Sequence, residues 1–215
     1  MAAAADRVAL RRLIEERLKD TRPPTPSATA IPAGFTPEAY SAVRQFYPAA
    51  PTPAAVLVPI VDHDDGLTIL LTQRASHLKN HAGQISFPGG RIEPGDDGPL
   101  AAALRETEEE IGLPREHVTF AGYLDPHLVL TGFWVAPVVA FVRPGFALQL
   151  DRREVDSTFE VPLAYILDAN NHHWRERVIG GGTSVRVYDI PYGEHRIWGA
   201  TAGMLVSLYR LLSHA

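Results

Sequence analysis

The stretch FPGGRIEPGDDGPLAAALRETEEEIGL, residues 87–113, decides the fold of this chain. A loop rich in glycine and aspartate follows FPGG, and the segment after that loop has the periodicity of a helix over residues 99–111. At about 100° per residue, one stripe of this helix spans roughly 60° and is nearly apolar. Its members are Leu100, Leu104, Thr107 and Ile111. We expect the stripe to pack against the core.

The opposite face of the predicted helix carries three carboxylates. Glu106, Glu109 and Glu110 fall in an arc of roughly 100°. Like charges at this spacing destabilise an isolated helix by about 0.2–0.5 kcal/mol per pair, whereas a hard divalent cation reverses the sign of the interaction. Mg²⁺ and Mn²⁺ prefer carboxylate and carbonyl oxygens, and the glycines of FPGG allow backbone to approach a metal closely. The alternative is that the three glutamates simply face solvent and are partly neutralised by Arg105. The two glycines of FPGG argue against it, because they suit a backbone that approaches a metal.

Composition excludes several classes of protein. The 215 residues are 46% hydrophobic, which suits one globular domain with small appendages. With 20 Lys plus Arg against 25 Asp plus Glu, a net charge of -5 argues against nucleic-acid binding. Cysteine is absent, and no apolar run approaches the roughly 20 residues of a membrane span. Because the start of the chain lacks a hydrophobic signal core, we expect a cytoplasmic protein that does not bind membranes.

The N-terminal region, residues 1–53, is predicted to be an appendage. Leu10, Leu13, Ile14 and Leu18 recur at helical spacing, which predicts an amphipathic helix over residues 6–19. This helix lies on the domain or on a partner subunit, so a homodimer is one option. A connection rich in Pro, Ala and Thr follows over residues 22–53. The main domain is expected over residues 54–215.

The rest of the chain predicts a mixed α/β order. Residues 54–62 and 67–74 are aliphatic runs on either side of HDDG, which is typical of a β-hairpin. Further strands are expected at 118–125, 133–143 and 184–190, and helices at 162–169 and 199–212. Hairpins in this order argue against a repeating βαβ series.

Residues 90–113 resemble the Nudix box, G-x5-E-x7-R-E-U-x-E-E-x-G-U, where U is a bulky apolar residue. The matching positions in the second half are Arg105, Glu106, Glu109, Glu110, Gly112 and Leu113. The acid eight residues before Arg105 is Asp97 instead of Glu, with one extra residue between it and Gly90, and Thr107 stands at an apolar position. We expect the loop to bulge by one residue around Pro94 and Gly95.

The resemblance implies a fold and a chemistry. The fold is a Nudix α/β/α sandwich around a mixed β-sheet, and the activity is metal-dependent hydrolysis of a diphosphate. The catalytic set is Arg105, Glu106, Glu109 and Glu110, and the ligands of Mg²⁺ or Mn²⁺ are Glu106, Glu109, Glu110, Gly89 and, as a further acid, Glu154. The base that deprotonates the attacking water is one of these glutamates or another acid.

A second resemblance concerns the substrate. LLTQRASHLKNHAGQISFPGG (70–90) is similar to the signature of the coenzyme A pyrophosphatase branch, roughly LLTxR[SA]xxxRxxxGxxxFPGG, and residues 153–167 and 195–205 resemble further segments of that branch. Lys79 replaces the second signature arginine, which keeps a charge but loses bidentate phosphate contact. The implied substrate-binding residues are Arg74, Lys79, Gln84, Phe87, Gly89 and Gly90. His77 and His81 are candidates for the same cationic patch.

The branch resemblance implies hydrolysis of coenzyme A or acyl-CoA to 3',5'-ADP and (acyl-)4'-phosphopantetheine. Two alternatives stay open. One is a Nudix pyrophosphatase acting on ADP-ribose, NADH or a dinucleoside polyphosphate. The other is a non-catalytic Nudix module that senses a ligand, of which an eroded set of glutamates would be the mark.

Overall fold

A parallel pair of long strands runs through the centre of the molecule. In the computed structural model, which describes residues 2–25, 41, 50–129, 131–178 and 184–213, β1 (Thr52–His63) pairs with β7 (Phe133–Val142). The pairing extends from Thr52 opposite Phe133 to Val61 opposite Val142. Both strands are largely buried runs of aliphatic residues, which is the pattern of strands covered on both faces.

The other strands complete a mixed sheet around this pair. The path is β3–β2–β1–β7–β5, while β4 pairs with β1, β6 with β7 and β8 with β2. β1 and β2 form the predicted hairpin, in which His63 lies opposite Gly66. The bounds are β2 Gly66–Arg74, β3 Ile85–Ser86, β4 Gly89–Arg91, β5 Val118–Tyr123, β6 His127–Leu128 and β8 Val155–Pro162.

Helices cover both faces of the sheet because the side chains of β1 alternate between two cores. Ala55 and Leu57 pack with Ala102 and Ala103 of helix α2 (Gly98–Ile111). Val58 and Ile60 belong to the other core, which contains residues of α1 (Ala2–Leu18) and α4 (Gly199–Ser213). The expected α/β/α sandwich around a mixed sheet is therefore confirmed.

Helix α2 is the predicted box helix, and its stripe faces the core as expected. Thr107 and Ile111 are buried, whereas Leu100 and Leu104 are partly buried against the same core. The hydroxyl of Thr107 donates to the Ala103 carbonyl at 2.7 Å, so this polar residue at an apolar position is satisfied within its own helix.

A three-stranded arm was only partly predicted. It contains β9 (His173–Val178), β10 (Ser184–Tyr192) and β11 (His195–Trp198) in the order β11–β10–β9. All six residues of β9 are exposed, so no apolar alternation marks this strand in the sequence. β8 was also missed, and the helix expected at 162–169 is only one turn, α3 (Leu163–Ile166).

Helix α1 packs on its own domain. Ile14 and Leu18 are buried in the core, and Arg7 and Arg11 pair with Asp62 of β1 at 2.8 and 2.5 Å. Leu13, which the periodicity placed on the apolar stripe, is exposed. The connection predicted at 22–53 lies mostly outside the described residues. A homodimer and a domain boundary at residue 54 stay predictions.

None of the helices in the described ranges is long and apolar enough to cross a membrane.

The burial of α1 yields a matched pair of variants. Ile14→Ala removes a fully buried side chain, so we expect the free energy of unfolding to fall by about 2–4 kcal/mol. Leu13→Ala, one residue away and 36% exposed, should cost less than about 1 kcal/mol. Urea unfolding measures both. Equal losses would contradict the placement of α1.

Candidate active site

Two glutamates of α2 meet the backbone of the two glycines in β4. The Gly89 amide donates to Oε2 of Glu110 at 3.1 Å. At Gly90, a Cβ atom would lie 2.5 Å from Cδ of Glu106, a distance that real contacts do not reach. Any side chain at residue 90 would therefore displace the Glu106 carboxylate, which explains why glycine stands there.

The carboxylate of Glu110 is short of compensating charge, whereas that of Glu106 accepts from Nη1 of Arg105 at 2.9 Å. Glu110 is only 4% exposed, and burial raises its pKa to about 8. The cation beside Glu110 is Arg74, whose Nη1 atom lies 3.9 Å from Oε1 of Glu110. Burial also raises the pKa of Glu106, and the charge of Glu154 raises the pKa values of both glutamates further. Three like charges from two separate segments therefore act on one another.

Glu109 differs from the expectation that all three box glutamates converge. Its side chain is 60% exposed and accepts from Nη1 of Arg105 at 3.2 Å. Glu109 and Glu110 lie at opposite ends of the arc of roughly 100°, so one can face the sheet while the other faces solvent. Glu106, Glu110 and Glu154 line the cavity, whereas Glu109 does not, although Nη1 of Arg105 bonds both Glu106 and Glu109. The role of Glu109 as a metal ligand stays a prediction.

Arg105 links the preceding loop to α2. The aspartate that it binds is Asp96, one residue before the Asp97 that the spacing indicated. Nε and Nη2 of Arg105 donate to the two carboxylate oxygens of Asp96 at 3.0 and 2.9 Å, which holds the pKa of Asp96 below its usual range. Asp97, the acid chosen from the spacing, precedes α2 and makes no side-chain capping bond. The backbone adopts a positive φ of 80° at Gly98. A hydrogen-bonded turn also lies at Pro94 and Gly95, where the Asp96 amide donates to the Glu93 carbonyl at 3.0 Å, and the bulge expected there stays a prediction.

A cavity of about 700 Å³ adjoins the carboxylates. Its other walls come from β6, β7, the β9–β10 arm and α4. Arginines from distant parts of the chain contribute to the lining, namely Arg74, Arg91, Arg177, Arg186 and Arg210. Arg186 lies over the ring of Trp174 at 4.1 Å, and Arg177 over that of Trp198 at 4.9 Å. The cavity of this acidic chain thus has a locally cationic wall.

Comparison with known proteins fits this arrangement. The model of the NUDIX domain family matches residues 51–179, which is more than half of the chain. The chain belongs to the Nudix family. Proteins named uncharacterized Nudix hydrolase NudL from Escherichia coli K12 and Photorhabdus laumondii are each 41% identical over 155 residues, or 72% of this chain and 80% and 82% of theirs.

Solved structures that resemble this chain are more distant in sequence. A binary complex of Ap4A hydrolase from C. elegans is 25% identical, with a TM-score of 0.45, and the match covers 52% of this chain and 80% of that one. The NUDIX domain of Shewanella oneidensis NrtR, complexed with ADP ribose, is 23% identical, with a TM-score of 0.42 and coverage of 62% and 87%. Ap4A hydrolysis and ADP ribose binding are properties of those two proteins.

The donor chemistry of this Nudix site fits a hard divalent cation. Glu106, Glu110 and Glu154 offer only oxygen, and the buried charge of Glu110 is poorly offset by Arg74. Among the residues that the structure describes, no three Asp, Glu or His side chains are grouped closely enough to enclose an ion. Few protein oxygens, completed by water and phosphate, are the usual environment of Mg²⁺.

The predicted substrate residues divide into two groups. One group lines the cavity and contains Arg74, Gln84, Phe87, Gly89 and Gly90. His81 also lines it, and its Nδ1 atom lies 2.9 Å from Oε1 of Gln84. Phe87 is also part of the core. In contrast, Lys79 and His77 are exposed and do not line the cavity.

The arginines on β9, β10 and α4 were missed by sequence reasoning. Arg177 and Arg186 lie 87 and 96 residues downstream of Gly90. The pairing of β9 with β10 brings both residues to the cavity lining, although the register, with Arg177 opposite Val185 and Arg186 opposite Glu176, puts them on opposite faces of the arm. The available signal was weak: Arg186 stands between two valines in the predicted strand at 184–190.

The pairing of Arg105 with Asp96 is tested by comparing adjacent aspartates. Asp96→Asn removes the charge that accepts two hydrogen bonds from Arg105, so we expect a loss of roughly 1–3 kcal/mol in unfolding free energy. Asp97→Asn should change it by less than about 0.5 kcal/mol. Urea unfolding of both variants decides, and a larger effect of Asp97→Asn would restore the original assignment.

The buried charge of Glu110 predicts a pH-dependent stability of the metal-free protein. The folded state keeps Glu110 protonated up to about pH 8, whereas the unfolded chain releases this proton near the ordinary pKa of 4.5. Wild-type stability therefore falls as pH rises through this window. Glu110→Gln cannot ionise, so in EDTA it should match wild type near pH 4 and exceed it by roughly 2–4 kcal/mol at pH 9.

Urea unfolding at several pH values measures this difference, with Glu108→Gln as the control on the exposed side of α2. Adding Mg²⁺ should stabilise wild type at pH 9 and leave Glu110→Gln nearly unchanged. A difference that does not vary with pH would contradict the role of burial.

Proposed function

We propose that this Nudix hydrolase uses Mg²⁺ or Mn²⁺ to cleave the diphosphate of coenzyme A or acyl-CoA, giving 3',5'-ADP and (acyl-)4'-phosphopantetheine. The observation that carries the proposal is the pair of glutamates, Glu106 and Glu110, held against the Gly89–Gly90 backbone at a cavity with a cationic wall. The signature over residues 70–90 supports the choice of coenzyme A within the Nudix family.

Glu106 and Glu110 would hold the cation, with Glu154 and the Gly89 backbone as further oxygen donors. When bound, the ion would offset the charge of the diphosphate and lower the pKa of a water molecule, so that the water can lose a proton and attack phosphorus. Burial makes the carboxylates of Glu106 and Glu110 poor at carrying negative charge alone, so the cation and these side chains stabilise one another.

Glu154 is the candidate that takes the proton of the attacking water. Its carboxylate lies at the cavity and is exposed, so it can pass a proton to solvent. Its backbone is fixed, because the Glu154 carbonyl accepts from the amide of Ala75 at 2.8 Å and its amide donates to Asp151 at 2.9 Å. A carboxylate whose backbone is held at the cavity, on the same lining as Glu106 and Glu110, can serve as a general base.

The arginines of the cavity suit a ligand with several phosphates. Coenzyme A carries a diphosphate and a 3'-phosphate, and guanidinium groups bind phosphate through charge-assisted hydrogen bonds. Arg74 lies beside Glu110, where it can contact the diphosphate, while Arg177 and Arg186 reach the cavity from the arm. The position of Lys79 outside the lining removes one contact that the branch signature implied, which keeps other nucleoside diphosphates in the test.

Hydrolysis is tested with variants along one helix. Glu110→Gln and Glu106→Gln should each lower kcat/KM for coenzyme A by at least about 100-fold, because each removes a charge from the metal site. Glu108→Gln is the matched control, since Glu108 pairs with Arg115 on the exposed side of α2 and should retain wild-type activity. Formation of 3',5'-ADP with Mg²⁺ or Mn²⁺ is followed by mass spectrometry.

A parallel panel contains acyl-CoA, ADP-ribose, NADH and a dinucleoside polyphosphate. Turnover of one of these compounds without turnover of coenzyme A would overturn the substrate assignment but would leave the proposed reaction, hydrolysis of a diphosphate, in place. No turnover of any compound, together with tight binding of one, would favour the non-catalytic module. Wild-type rates in Glu110→Gln would refute the site itself.

A further inference from the structure

A turn at residues 81–84 is fixed to the arginine that lies beside Glu110. The amide of Gly83 donates to the Arg74 carbonyl at 3.1 Å, and the Arg74 amide donates to the Gln84 carbonyl at 2.9 Å. Arg74 is the last residue of β2, and its guanidinium approaches Glu110 to 3.9 Å. Two backbone hydrogen bonds therefore hold the turn next to one end of the carboxylate site.

His81, the first residue of this turn, has an unusual backbone conformation. Its φ is 58°, and among the described residues it is the only one besides glycine with a positive φ. Most side chains clash with the backbone in this left-handed region, although Asn, Asp and His enter it more readily than others. Gly83 adopts a φ of 66° two residues later, where it has no such clash. A histidine kept at residue 81 against this steric cost points to a use for its side chain.

The imidazole of His81 has one nitrogen engaged and one available. Nδ1 lies 2.9 Å from Oε1 of Gln84, so its N–H donates to that oxygen. Within the described ranges, Nε2 has no hydrogen-bond partner. His81 is an exposed residue that lines the cavity, so a ligand can reach its ring. With Nδ1 as a donor, the protonated ring offers Nε2–H as a second, cationic donor.

A phosphate oxygen is the acceptor that suits this donor. A charge-assisted hydrogen bond forms between imidazolium and phosphate, and the charge of the phosphate favours the protonated ring. Donation of a proton to the leaving group is not required, because that group is itself a phosphate whose second pKa is about 6. The role that remains for His81 is therefore binding, beside the guanidinium of Arg74.

We propose that His81 contacts the diphosphate of the substrate through Nε2 and, with Arg74, binds it at one end of the carboxylate site. This contact rests on the proposed function, since it takes the diphosphate as the group that lies at the glutamates. It extends that function by a specific residue that selects for phosphate. The competing possibility is that the ring of His81 contacts the nucleoside instead.

The contact is tested by binding measurements that need no turnover. Isothermal titration in Mg²⁺ measures the affinities of wild type, His81→Asn and His81→Gly for ADP and for inorganic pyrophosphate. Asparagine and glycine both accept the left-handed backbone, so the turn is retained while the imidazole is lost. Each variant should bind both ligands about tenfold more weakly, as expected for the loss of one charge-assisted hydrogen bond.

Asn80→Ala is the matched control, because Asn80 precedes His81, is exposed and does not line the cavity. Its affinities should stay within about twofold of wild type. The unfolding temperature of His81→Gly should not fall, since glycine removes the steric cost at residue 81. With coenzyme A as substrate, the His81 variants should raise KM about tenfold and change kcat little, because the contact is made before and during the reaction alike.

The contact and the proposed function fail separately. Wild type that binds both ligands through His81 but does not hydrolyse coenzyme A keeps the contact and overturns the function. Hydrolysis of coenzyme A with unchanged affinities in both His81 variants overturns the contact and keeps the function. A loss confined to ADP would place the ring against the nucleoside and overturn the contact. So would an equal loss in Asn80→Ala, or no measurable binding of either ligand to wild type.

Discussion

The contact between the Gly89–Gly90 backbone and the carboxylates of α2 constrains the rest of the structure. It requires β4 to lie beside β1, so that Gly90 faces Ala55, and it requires α2 to approach close enough that no side chain fits at residue 90. Arg105 fixes the loop between β4 and α2 by bonding both Asp96 and the Arg91 carbonyl. The apolar stripe of α2 then sets the helix rotation, which places Glu106 and Glu110 inward. Packing, loop geometry and charge therefore determine a single arrangement of the two carboxylates.

That arrangement is costly for the protein on its own, because Glu110 is buried with limited positive charge nearby and Glu106 is partly buried beside it. Stability is given up locally where ligand chemistry is needed, while the two cores on either side of β1 supply it elsewhere. The carboxylate site therefore departs from what a purely structural protein would select.

Much of the architecture could be predicted, because strong periodicity and turn signals are local properties. The β1–β2 hairpin, α2 and α4 follow from aliphatic runs and helical spacing in the printed sequence. β9 could not be predicted, since its six exposed residues are held by pairing with β10 and not by burial. The candidate site divides in the same way. Glu106 and Glu110 follow from one motif. The spacing indicated Asp97, whereas the aspartate that binds Arg105 is Asp96. Arg177 could not be predicted, because its position depends on contacts between distant segments.

The parallel pairing of β1 with β7 has a consequence for how the chain reaches its fold. The partners begin at residues 52 and 133, so the central ladder closes a loop of 81 residues, while the antiparallel partner of β1 follows within a few residues. During synthesis the β1–β2 hairpin can form first and then present the bare aliphatic edge of β1 until Phe133–Val142 has left the ribosome. Loop closure of this length slows folding and prolongs the exposure of that edge. The central strand of the finished sheet therefore has an unpaired aliphatic edge until the chain is nearly two thirds complete.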